Sequence, residues 1–181
     1  MNELPKRKHP RLKGYDYAKN GAYFITICVK GRHNMLGELV GRDAHIAPSN
    51  HIMPTIRLSE YGKIIDKYIN SINSPKKSVA VDKYVIMPNH VHMIIILENE
   101  AGNPDHREMM GNGATWASRP TAIPDIVRSF KVMVSKEIGF SLWQTSYHDH
   151  IIRSEDEYHR ICQYIDDNPA KWAEDDYFSH N

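Results

Sequence analysis

Tyr84-Val85-Ile86-Met87-Pro88-Asn89-His90-Val91-His92-Met93-Ile94-Ile95-Ile96-Leu97 reads as two buried strands broken at Pro88-Asn89. Side chains in a strand alternate between faces, so His90 and His92 point the same way, one pleat repeat apart. The apolar run Ile94 to Leu97 behind them has the pattern of a strand buried on both faces, which makes it a stiff mount in the middle of a sheet. Two imidazoles on one rigid strand make half of a metal site. Spacing alone leaves the bland reading open, because a chain with 11 His in 181 residues also carries ordinary half-exposed pairs.

Outward from this hairpin, periodicity gives an order of elements. Gly21 to Val29 is a first strand, rich in β-branched and aromatic residues and ended by Lys30-Gly31. Residues 31 to about 57 have weak periodicity, punctuated by Gly37, Gly41, Pro48 and Pro54, and read as a short hairpin or loop. Ser59 is an N-cap, followed by Tyr61, Ile64, Ile65, Tyr68, Ile69 and Ile72 at helical spacing, and Asn73-Ser74-Pro75 stops that helix. Val79 to Met87 and Val91 to Leu97 are the next two strands. A long polar segment, Glu98 to Pro120, precedes a second helix that begins at Pro124, carries the stripe Ile126, Val127, Phe130, Val134 and Ile138, and ends at Gly139. Trp143 to Ile152 reads as a fourth strand. Ser154 with Glu157 has the capping-box pattern, opening a last helix that stops at Pro169. Strand, helix, strand, strand, helix, strand is the split β-α-β order. The expected fold is therefore α+β, a ferredoxin-like sandwich with an antiparallel sheet, plus an additional C-terminal helix.

The length has room for one well-buried domain, placed at 21–172 between a basic N-terminal arm (1–20) and a C-terminal tail (173–181). Net charge is +1, so no global field advertises nucleic acid. The distribution says more: Lys6, Arg7, Lys8, Arg11 and Lys13 crowd the start against a single Glu3. Such an arm suits phosphate binding, and by composition alone it equally suits a solubilising terminus. Cys28 and Cys162 sit among apolar residues and read as small core hydrophobes. No apolar run approaches the roughly 18 residues that span a bilayer. A cytoplasmic chain with reduced thiols and no membrane partner is expected.

In the last helix, Tyr158, Ile161, Cys162 and Ile165 recur at i, i+3, i+4, i+7 and make the buried stripe. Tyr164 lies about 100° round from Ile165, and Asn168 is its i+4 neighbour on a semi-polar edge. A phenol and an amide oxygen one turn apart would stand over the two histidines if this helix packs near their strand. Taken alone, the two residues read as a core tyrosine and a terminal asparagine before proline.

Several blocks then agree: Asp82 to His92 with its Pro88-Asn89-His90-Val91-His92 core, Trp143-Gln144, Tyr147 to Arg153, and Tyr164-Ile165-Asp166-Asp167-Asn168-Pro169. Gly21 to Thr26 and Phe130-Lys131 fit the same pattern. Together they resemble the signature blocks of the REP-associated tyrosine transposases, of the single-tyrosine HUH superfamily, from about Pro10 to Trp172. The resemblance implies that His90 and His92 are the metal-binding pair, that Tyr164 is the nucleophile, and that Asn168 supplies a third polar ligand. It implies Mg²⁺ or Mn²⁺ as the cofactor and single-stranded DNA with hairpin repeats as the partner. It also implies cleavage and strand transfer through a 5′-phosphotyrosine, on a homodimer or a monomer.

For DNA contacts the sequence offers the arm Lys6, Arg7, Lys8, Arg11 and Lys13, supported by Arg128 and Lys131, with Trp116 as a stacking platform. His148 and His150 repeat the i, i+2 pattern but read as structural or DNA-facing. Tyr147 and Tyr177 are rival nucleophiles only if the last helix is misread. Two other functions compete: a hairpin-binding relative with an idle site, and a metal hydrolase in which Tyr164 is structural.

Overall fold

The computed structural model describes residues 12, 14–41, 54–73, 78–99, 121–175 and 177–178. The arm residues Lys6, Arg7, Lys8, Arg11 and Lys13, and Trp116 of the long polar segment, lie outside the described residues. The elements run β1 (Gly21–Cys28), β2 (Gly37–Val40), β3 (Thr55–Leu58), α1 (Glu60–Ile72), β4 (Val79–Ile86), β5 (His90–Leu97), α2 (Ile123–Ile138), β6 (His148–Ile152) and α3 (Glu155–Asp167). Single 3-10 turns follow β1 at Lys30–Arg32 and α3 at Trp172–Glu174.

The main sheet has the order β4-β5-β1-β6, with every neighbouring pair antiparallel. That is the expected ferredoxin-like arrangement with a ninth element, α3, added after β6. Val91, Met93, Ile95 and Leu97 of β5 join Ile25 and Ile27 of β1 in a core with Ile65 and Ile69 of α1 and Val127, Phe130 and Val134 of α2. Each such side chain contributes about 1.5–3 kcal/mol on burial. The opposite sheet face carries His90, His92 and Ile94 beside Thr26 and Phe24, and α3 packs there, with ring contacts to Phe24 and His92. The histidines therefore lie in a layer between sheet and α3.

The weakly periodic stretch after β1 holds a separate two-stranded hairpin, β2-β3. It is fastened where Leu36 donates to the Pro88 carbonyl and accepts from the Ser59 amide. Gly62 in the first turn of α1 is what allows this closeness, since a Cβ there would collide with the Leu36 carbonyl. Ser59 caps α1 as expected, accepting from Gly62 N at 3.1 Å.

Two expectations shift, and the sheet holds one irregularity. The fourth strand begins at His148, not Trp143. Trp143 makes an isolated bridge to Val29, and residues 144–147 stand opposite only Ile27 and Cys28, so register cannot continue. Their out-turned carbonyls are collected by Lys131, whose ammonium donates to Gln144 O at 2.9 Å and Ser146 O at 2.7 Å. The box at Ser154 is displaced by one residue: Ser154 Oγ accepts from Glu157 N, but the Glu157 carboxylate takes the Arg153 amide. β4 carries a register shift between Val81 and Lys83. This bulge turns both Asp82 and Lys83 toward α3, where they meet Tyr158 and Asp166.

Candidate functional site

His90 and His92 open β5 opposite Cys28 and Thr26 of β1, and they are 0% and 1% exposed. Their Nε2 atoms face each other at 3.0 Å. Asn89 fixes the first ring. Its amide NH₂ donates to the carbonyls of Arg32 and Tyr177, so its Oδ1 accepts, and His90 Nδ1 donates to it at 2.9 Å. His90 Nε2 is therefore a lone pair turned inward. His92 Nδ1 meets the Thr26 hydroxyl at 2.8 Å, a group able to accept or donate. Burial, then His92, then Arg32 push the His90 pKa well below the usual 6.5, and burial takes His92 down to about 3. Both rings are neutral at pH 7, the form that binds metals.

α3 crosses this pair. Tyr164 Oη lies 3.3 Å from His92 Nε2, with the ring edge-on to Phe24 at 6.0 Å. One turn on, Asn168 is 2% exposed and its Oδ1 has no hydrogen-bond partner among the described residues. A buried amide oxygen left unsatisfied is costly, and a cation would satisfy it. The chain after α3 returns over the histidines: Trp172 packs on His90 at 5.8 Å and Tyr177 at 4.7 Å. Asp175 comes with it, and His90, His92 and Asp175 have donor atoms all within 4.8 Å of one another. Two converging imidazole nitrogens and a carboxylate are a donor set that fits a divalent cation.

Tyr164 is thus brought onto His90 and His92, and Asn168 is buried one turn beyond it at the end of the same helix. Arg128 and Lys131 are not among them, because α2 lies on the other face of the sheet. Lys131 has the structural use described above, and exposed Arg128 stands 3.9 Å from Asp125. His148 and His150 are exposed on β6, with His150 Nε2 2.7 Å from Glu157. Tyr147 is buried in the core. Tyr177 is near the histidines, but burial first, then Cys28, Tyr164 and Asp175, raise its pKa to about 12. Tyr164 instead is 42% exposed. Asp175, Trp172, Asn89, Thr26 and Arg32 carried no spacing signal. Asn89, beside the His-x-His, and Thr26, at the end of the Gly21 to Thr26 block, stand out by position alone.

A protein of Haemophilus influenzae described as uncharacterized is 32% identical over 177 residues, spanning 93% of this chain and 91% of the relative. The chain belongs to that protein's family. No protein-family profile matches it. Among solved structures, a REP-associated tyrosine transposase bound to a REP hairpin superposes with a TM-score of 0.51, at 17% identity, over 90% of this chain and 74% of that one. The fold here is that of a REP-associated tyrosine transposase. Within this transposase fold, the tyrosine helix sits against the histidine strand of its own chain. No helix among the described residues is long and apolar enough to cross a membrane.

Proposed function

We propose that the chain is a transposase that cuts and rejoins single-stranded DNA carrying hairpin repeats, with Tyr164 as nucleophile. The observation that carries this reading is the convergence of Tyr164 Oη on the facing Nε2 atoms of His90 and His92, with Asn168, its buried amide oxygen unpaired among the described residues, one turn further along the chain. His90 and His92, with Asn168 and Asp175 supplying oxygens, would hold Mg²⁺ or Mn²⁺. Bound there, the ion would polarise the scissile phosphate as a Lewis acid, worth several kcal/mol in the transition state.

The chain's own residues do the rest. Asn89 and Thr26 hold the two imidazoles in orientation from behind. Phe24 and His92 flank the Tyr164 ring and aim its hydroxyl across the site. Tyr164 Oη forms a bond to phosphorus while the bond from phosphorus to the 3′ oxygen breaks. The phenolic proton leaves to solvent, and the 3′ oxygen is protonated. The 5′-phosphotyrosine keeps the phosphodiester energy, so a later 3′-OH can reverse the step and join strands without ATP.

The test uses labelled single-stranded hairpin DNA from repeats flanking the gene, with Mn²⁺, run on a denaturing protein gel. The expected result is a labelled protein band in wild type that is absent in Tyr164→Phe and absent with chelator. A native-gel shift with no covalent band under any divalent metal would instead make this a hairpin-binding protein with an idle site. Cleavage surviving in Tyr164→Phe would mean a hydrolase in which Tyr164 is structural.

A further inference from the structure

Arg32 ends the 3-10 turn just beyond β1, next to the strand end that pairs with His90. It has φ 57, and among the described residues it alone departs from negative φ without being glycine. Left-handed backbone is strained at a residue with a long side chain, and strain of that kind gathers at functional sites. Here the strained unit is tied to the histidines. The Arg32 carbonyl accepts from Asn89 Nδ2 at 3.1 Å, and the same amide accepts from His90 Nδ1. One buried side chain thus couples the placement of Arg32 to the orientation of His90. The guanidinium stands 5.1 Å from the centre of the Tyr177 ring, and that ring lies 4.7 Å from His90 and 5.9 Å from His92. Arg32 is exposed, so its head group is presented at the rim of a site whose histidines are buried.

We propose that Arg32 is a catalytic residue that grips a non-bridging oxygen of the scissile phosphodiester and stabilises the charge that builds there as Tyr164 attacks. The inference deepens the strand-transferase reading and rests on it. Guanidinium suits the role because it is always charged and offers a planar fork of donors that matches phosphate oxygens. The described basic residues of α2 lie on the other sheet face, away from the histidines. The anchored Arg32 backbone and the seat of its guanidinium beside the Tyr177 ring restrict where the fork can reach, which lowers the reorganisation a donor needs to act on a transition state.

The experiment measures single-turnover phosphotyrosine formation by full-length wild type, Arg32→Gly and Arg32→Lys. Glycine accepts the positive φ, so the turn survives and only the side chain is lost. Arg32→Gly is expected to slow adduct formation about 100-fold, the scale of one lost oxyanion donor, with Arg32→Lys recovering part of it. The same comparison is then made on DNA with a neutral methylphosphonate at the scissile position. There the gap between wild type and Arg32→Gly should shrink to a few-fold, which a merely structural role would not produce. Equal rates for wild type and Arg32→Gly on normal DNA, or an undiminished gap on methylphosphonate DNA, would overturn the proposal. If wild type forms no adduct at all, the Tyr164 reading fails instead. Arg32 is then judged by anisotropy of the same single strand with Mn²⁺, where equal affinities for wild type and Arg32→Gly also overturn it.

Discussion

β5 and α3 supply the two halves of the candidate site and are held in opposite ways. In β5, Val91, Met93, Ile95 and Leu97 fill the core on one side, and His90, His92 and Ile94 are buried on the other. Hydrogen-bonded neighbours run along both edges of the strand. In α3 only Ile165 is buried, and the helix is pinned to β4 by polar contacts at the bulge, Asp82 with Tyr158 and Lys83 with Asp166 at 2.7 Å. The histidine half is thus part of the core, whereas the tyrosine half is docked onto it. Under the proposed strand-transfer reading this division is useful, since the histidines would keep their geometry while the tyrosine helix adjusts to a DNA end.

The contrast can be broken by mutation. Ile95→Ala in β5 should lower unfolding stability by about 2–5 kcal/mol in denaturant titrations, the usual cost of a core cavity. Ile161→Ala in half-buried α3 should cost under about 1 kcal/mol. Equal losses would mean that α3 is as integral as the sheet. Acid gives a graded effect. His90 and His92 resist protonation in the folded protein but titrate near 6.5 when unfolded, so the unfolded chain binds more protons below that pH. Stability of the metal-free protein should therefore fall as pH drops from about 6.5 toward about 3, and be unaffected by these groups above about 7. Thermal melts across that window in chelator check the slope, which should flatten in a His90→Leu, His92→Leu variant. The smallest change in global stability, about 0–1 kcal/mol, is expected from Tyr158→Phe combined with Lys83→Ala, because these contacts are exposed. Its mark should be local: amide exchange in 158–167 rising severalfold while β5 amides stay unchanged. Exchange that stays slow throughout α3 would show that apolar packing, not the bulge contacts, seats the helix.

The parts legible in the sequence were those with local cause. β-branched runs marked β1, β4 and β5, and Ser59 and Ser154 marked helix starts. The His-x-His spacing gave two inward imidazoles, and the i, i+4 spacing placed Tyr164 with Asn168. The rest depended on distant pairing. Residues 144–147 look strand-like, and only their mismatch against Ile27 and Cys28 turns them out to Lys131. The β2-β3 hairpin owes its place to Leu36, Pro88 and Gly62, which share no sequence pattern. Asp175 and Tyr177 fell in the stretch set aside as a tail, yet the turn at Trp172 folds them onto His90. Nothing local in that stretch announces a ligand.

The near-complete cover over the histidines has a kinetic consequence. His90 and His92 expose 0% and 1% of their surface, with the rings of Tyr177, Tyr164 and Trp172 all within 6 Å of one or the other. An ion seated between them leaves only when that cover opens. A chelator would then strip it at the rate of local opening, a rate that stops rising once chelator is in excess. Retention of metal through a desalting column would report how well the lid is shut and not how strongly the ligands bind.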